Sequence, residues 1–289
     1  MSLRFLVVGL MLALGVVGTP QSFAQTAPET ASQALDQRII ALGDLLQMAQ
    51  VIEIMREEGL KNATALETDM FPGQGGDRWQ AVADQIYDPA SMRADFDATL
   101  LVNLHGDDAR LTEIETFFAS PLGVRVVMLE IEARRALLDP AVEDAAKVVV
   151  QDMAADRDAR LARLQAFAEV NDLIESNVMG ALNANLAFYR GLAETVGPAG
   201  EVTEEQMLTD VWSQEADIRA ETEDWLFPFL ALAYRPLSDE DLAAYYTFSE
   251  SAAGQKVNAA LFAAFDSMFT GISRDLGRAA ALQMQGQQL

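Results

Sequence analysis

Apolar residues recur at helical spacing along nearly the whole chain, and the strict alternation of a half-buried strand is almost missing. Helix starts are well marked. Asp88, Ser120 and Asp139 each precede a proline, so a capping oxygen meets a backbone N–H while proline has none to leave unsatisfied. Thr203 and Gln206 have the spacing of a capping box, and Ser238 opens a further helix whose first turn holds Asp239, Glu240 and Asp241. Gly59 and Gly106 read as helix stops, and residues 62–77 and 196–202 read as loops. The pattern predicts an all-α protein, a helical bundle. In its long helices the expected core stripes are Val124, Val127, Met128 and Ile131, then Leu261, Phe265, Met268 and Phe269.

The helical pattern also repeats. A displacement of about 131 residues sets Phe117 on Phe248, Ser120 on Ser251, Gly123 on Gly254, Arg125 on Lys256 and Val126 on Val257. With a slightly different displacement, Gly59 and Trp79 fall on Gly191 and Trp212. Composition bias imitates alanine and leucine matches more readily than paired tryptophans and glycines. The expected organisation is two tandem helical repeats, residues 31–138 and 170–285, joined by a connecting helix over residues 139–169. In each, a first helix ends near the glycine and the tryptophan takes a structural role.

The N-terminus reads as a secretory signal, with Arg4 before an apolar run over residues 5–17 and small residues at Ser22 and Ala24. Cleavage after Ala24 makes residues 1–24 a signal peptide and the remainder one unit more negative. The run is shorter than the ~20 residues that span a bilayer, and no later segment reads as a transmembrane span. The expected location is the periplasm, with secretion to the medium as the alternative.

Composition narrows the chemistry. The 289 residues carry 44 acidic and 20 basic side chains, a net charge of −24, and such an acidic protein is a poor partner for nucleic acid. There is no cysteine, so disulfides, thiolate nucleophiles and Cys-ligated metal are excluded, and an exported chain must cohere by core packing. The single histidine, His105, would have to serve any Ser–His–Asp triad, and no Gly-x-Ser-x-Gly elbow presents a serine. His105 reads better as a helix C-terminal residue. Methionines are scattered as core filler, acidic pairs such as Asp107-Asp108 sit in hydrophilic surroundings, and no calcium loop is present. No cofactor, metal or catalytic residue is expected.

The element over residues 111–125, with Phe117-Phe118-Ala119-Ser120-Pro121-Leu122-Gly123-Val124-Arg125, resembles a family of small exported bacterial proteins with a helical domain of unknown function. That family carries Phe-Tyr-x-Ser-Pro-x-Gly-x-Lys between a short and a longer helix. Residues 242–256 resemble it too, with Gly254-Gln255-Lys256 closer to the family ending and Ser251-Ala252-Ala253 lacking the proline. The resemblance implies an exported α-helical protein and carries no reaction.

At each junction a glycine occupies the third helical position at a propensity cost of about 1 kcal/mol relative to alanine. Close packing against another backbone accounts for it. The other reading is a weak anion site from free N–H groups at the helix start, comprising Ser120, Gly123 and Arg125, or Ser251, Gly254 and Lys256. Two function classes follow. One is a non-enzymatic protein- or peptide-binding factor of the cell envelope, which requires an exposed apolar groove. The other comprises a small-ion or small-ligand carrier, or a hydrolase with two carboxylates in a deep cleft.

Overall fold

The computed structural model describes residues 27–196 and 203–286. The expected signal peptide and most of the loop at 196–202 lie outside the described residues. Every regular element among the described residues is helical, as the periodicity requires. The order is α1 (Ala27–Leu45), α2 (Met48–Met70), α3 (Gly76–Ile86), α4 (Pro89–Leu104), α5 (Asp108–Phe118), α6 (Pro121–Ala136) and α7 (Pro140–Ala155). It continues with α8 (Ala159–Val170), α9 (Leu173–Val196), α10 (Glu204–Trp212), α11 (Glu215–Tyr234), α12 (Asp239–Glu250) and α13 (Ala252–Met284).

Caps set the boundaries. The side chains of Asp88, Ser120 and Asp139 accept from Ser91, Gly123 and Ala141 N–H, each with proline in the first turn. Thr203 and Gln206 complete the capping box, and Ser238 accepts from Asp241 N–H. The helix α4 stops at Leu104, and Gly106 takes a left-handed φ of 87° that a side chain would resist.

Several boundaries differ from the sequence expectation. Gly59 does not end a helix, and α2 runs on to Met70 through most of the expected loop. The reason is a continuous buried stripe, Ile52, Met55, Gly59, Ala63 and Leu66, at helical spacing. Gly59 is there for Tyr87, whose ring carbon Cε1 would lie 2.1 Å from an added Cβ. Gly191 is likewise inside α9, against the Arg274 carbonyl of α13. The connecting segment is two helices, α7 and α8, broken at Arg157 with φ 54°.

The longest element, α13, forms the axis. It packs along α9 and α4 and also meets α2, α3, α5 and α12, while α11 lies against α6, α7, α8 and α9. Leu261, Phe265, Met268 and Phe269 are all buried on α13, as expected. The proposed stripe of α6 is out of phase. Val124 is 44% and Met128 51% exposed, and the buried face is Gly123, Val126, Val127, Ile131 and Arg134. The two aligned tryptophans also part company: Trp79 is fully buried, with Nε1 donating to Ala63 O at 2.8 Å, and Trp212 is 54% exposed.

Candidate functional site

The corrected phase of α6 places a carboxylate on its inward face. Glu130 lies one turn beyond Val126 and Val127 and shares their face with Ile131 and Arg134. It lines a cavity of about 90 Å³ bounded by α2, α6, α11 and α13 together with Leu46 just after α1, Phe118 of α5, Phe167 of α8 and Tyr245 of α12. The rest of the wall is mostly apolar, with Met48 and Met55 from α2, Phe118, Phe167, Phe229, Leu261 and Phe265, and with Arg134 at its edge. The volume is well above the ~10–15 Å³ that holds a water and below the ~150 Å³ of an engineered cavity that takes benzene.

Two tyrosines hold the carboxylate. Tyr234 Oη donates to Glu130 Oε1 at 2.7 Å, and Tyr245 Oη donates to the same oxygen at 3.1 Å. Both phenols are buried. Tyr234, Tyr245 and Phe167 brace one another, with ring centroids 5.0–5.8 Å apart. Among the described residues no hydrogen bond is made to Oε2 of Glu130. Lost hydration pushes the Glu130 carboxyl up to about 7, opposed by the hydrogen bonds from Tyr234 and Tyr245. Burial first, and then the Glu130 charge, hold both phenols well above the usual tyrosine range. At neutral pH the site therefore contains neutral donors fixed on one oxygen of a carboxyl group poised between its two protonation states.

Arg134 lies one turn further along α6 at the edge of the cavity, where Nη2 meets Glu58 Oε2 at 2.6 Å and Nε meets Oε1 at 3.2 Å. This two-point pairing neutralises the guanidinium locally. On the other side, Val127 and Ile131 line both the cavity and a surface groove of about 690 Å³ between α1 and α6. Val124 and Met128 sit in that groove, which explains their exposure.

The residues singled out from sequence lie elsewhere. Ser120 and Ser251 accept from the N–H of Gly123 and Gly254 at 3.1 and 3.0 Å, so the serines cap the very donors an anion would use. An added Cβ at Gly123 or Gly254 would lie 2.2 Å from Phe117 O or 2.0 Å from Phe248 O. The glycines thus admit the carbonyl of the preceding helix. Arg125 donates to Pro236 O at 2.5 Å and pairs with Asp241 at 3.2 Å. Lys256 is half-buried near the start of α13 and lines neither the cavity nor the groove.

His105 caps the end of α4, with Nε2 3.3 Å from Ser32 Oγ and 3.5 Å from Asp36 Oδ1. Both contacts use the same ring nitrogen. A triad needs serine and aspartate on opposite nitrogens, so this trio has the composition of a relay without its geometry. Among the described residues no group of three or more acidic or histidine side chains is arranged to hold a metal ion, and no helix is long and apolar enough to cross a membrane.

The sequence signal for Glu130 was present but faint. Gly123, Val126, Val127, Glu130, Ile131 and Arg134 follow i, i+3, i+4, i+7, i+8, i+11, a single helix face containing two charges. Choosing the all-apolar phase instead puts Glu130 in solvent. Tyr234 and Tyr245 lie over a hundred residues away and only the tertiary fold brings them to it. Compared with known proteins, the chain matches no family model, no curated protein and no solved structure.

Proposed function

We propose that this protein is a non-enzymatic, exported helical carrier that binds a small, mostly apolar molecule in the Glu130 cavity. One observation carries the reading: a mostly apolar cavity is lined by a single carboxylate, Glu130, which Tyr234 and Tyr245 both hold through the same oxygen. Apolar walls with a few placed polar groups are the ordinary composition of a small-molecule site. Glu130 is the sole acidic residue lining this cavity among the described residues, so the paired carboxylates of acid–base hydrolysis have no counterpart there. Export to the periplasm rests on the N-terminal pattern of Arg4, the apolar run and Ala24.

Titration with butan-1-ol and with xenon, followed by NMR of the Ile131 and Met55 methyl groups, tests the carrier reading. Saturable shifts centred on these methyls are expected, with a rise in melting temperature that follows ligand concentration. Absence of saturable shifts with either probe would defeat the reading. A second reading, docking of a protein or peptide of the envelope, is favoured by the apolar groove bearing Val124 and Met128. Crosslinking from position 128 in the native envelope tests it, with a discrete crosslinked partner as its expected result.

A further inference from the structure

We infer that the cavity ligand is a small hydrophobic amine, bound as its ammonium ion with an N–H donated to Oε2 of Glu130. This inference rests on the carrier reading and names its ligand class. Three features of the site point the same way. The first is the division of labour at the carboxylate. Both tyrosines donate to Oε1, which fixes the group and favours its ionised form, and Oε2 has no donor from the described residues. Glu130 is also the one carboxylate among the residues that line the cavity.

The second is the wall. The rings of Phe118, Phe167, Phe229 and Phe265 line the same cavity, and aromatic faces attract organic cations through their quadrupoles. A free carboxylate ligand would meet the Glu130 charge in the same low-dielectric space, whereas an ammonium neutralises it. The third is the approach. The charged residues lining the adjoining groove are Asp44, Glu115 and Glu132, all acidic. Arg93 and Arg38 pair with the first two, and no ion pair is formed by Glu132 among the described residues. The net charge of −24 raises the concentration of cations around the molecule, this acidic groove included.

Binding is linked to protons. The titratable groups around Glu130 are Tyr234 from α11, Tyr245 from α12 and Arg134 on its own helix, the last bound to Glu58 of α2. The nearby parts of α1, α8 and α13 present Leu46, Phe167 and Leu261, none of which titrates. Burial and the Glu130 charge hold both phenols well above the usual tyrosine range, so Glu130 is the group that changes. The ammonium takes the place of its proton, and one proton leaves as the complex forms with protonated Glu130.

Isothermal titration of the full chain with n-butylammonium chloride, butan-1-ol and sodium butyrate, at pH 6 and pH 8, tests this. The ammonium stays charged at both values. Expected are tightest binding of butylammonium at pH 8, a fall of about tenfold at pH 6, and little change for butan-1-ol. Butyrate should bind worst. Glu130→Gln should lose at least about tenfold in butylammonium affinity, and the pH comparison in the unmodified protein needs no variant. If butan-1-ol binds as well as butylammonium at pH 8, or if butylammonium binding is unaffected by pH, the amine inference fails while the carrier reading stands. If no probe binds, both fail.

Discussion

The rings of Phe117 and Phe248 lie face to face, with centroids 3.6 Å apart and planes within 2° of parallel. These two residues are the ones a 131-residue displacement aligns, and each belongs to a short helix that ends in a serine-capped glycine junction. The stack ties α5 to α12, so the two junctions support each other through like residues. Tyr245 stacks beyond Phe117 at 5.7 Å, which connects this contact to the wall of the Glu130 cavity.

A double-mutant cycle on this pair should show coupling. Phe117→Ala and Phe248→Ala should each cost roughly 2 kcal/mol, below the range for fully buried rings because both keep some exposure. The double variant should lose about 1 kcal/mol less than the sum. Urea denaturation of the four proteins measures it, and strict additivity would mean that the stack contributes nothing specific.

Glycines on the same fold should respond in opposite directions. Gly123→Ala forces a methyl against Phe117 O, and a loss above about 2 kcal/mol is expected. Gly271 in α13 has nothing within 4 Å of an added Cβ, so Gly271→Ala should gain about 0.5–1 kcal/mol from helix propensity. Thermal melts of both variants suffice, and a stable Gly123→Ala protein would refute the close-approach account.

Stability should carry the signature of Glu130. Its carboxyl titrates near 7 in the folded protein and near ~4.3 in the unfolded chain, so the folded state holds the proton more tightly. The contribution is fully present below about pH 4 and is lost as pH rises through about 7, a change on the order of 3 kcal/mol. Glu130→Gln removes the titration. Relative to that variant, the unmodified protein should lose stability between pH 5 and pH 8 in denaturant titrations, and parallel curves would show that Glu130 is not held this way.

The tryptophans offer an optical check. Trp79→Phe removes a buried ring edge and the Nε1–H bond to the Ala63 carbonyl, with an expected cost of about 2 kcal/mol. Trp212→Phe should fall within about 0.5 kcal/mol of the parent, because that side chain is more than half exposed. Acrylamide should quench Trp212 readily and Trp79 hardly at all, as read by comparing the two single variants.

Arg125 makes a contained prediction. Its side chain is about half exposed, so Arg125→Ala should cost no more than about 1 kcal/mol through its contacts with Pro236 and Asp241. Phosphate titration of both proteins by melting temperature should give the same small response. A response lost in the variant would restore the anion site at the α6 junction.

What the sequence by itself determined is the helical class, most helix starts and the long α13 stripe. These depend on interactions within a few residues: a serine or aspartate meeting an N–H in the next turn, proline in the first turn, apolar residues on one face. Tertiary structure decided which glycines break a helix and which admit a neighbour. Gly106 ends α4 by a left-handed turn, whereas Gly59 keeps its helix and receives Tyr87. It also separated Trp79 from Trp212 and chose the inward face of α6. Helical spacing allows adjacent phases that differ by about 100° of rotation, and only the packing of α2, α11 and α13 selects the one that turns Glu130 inward. The carboxylate's partners, Tyr234 and Tyr245, are distant along the chain, and an unpaired local pattern contains no record of them.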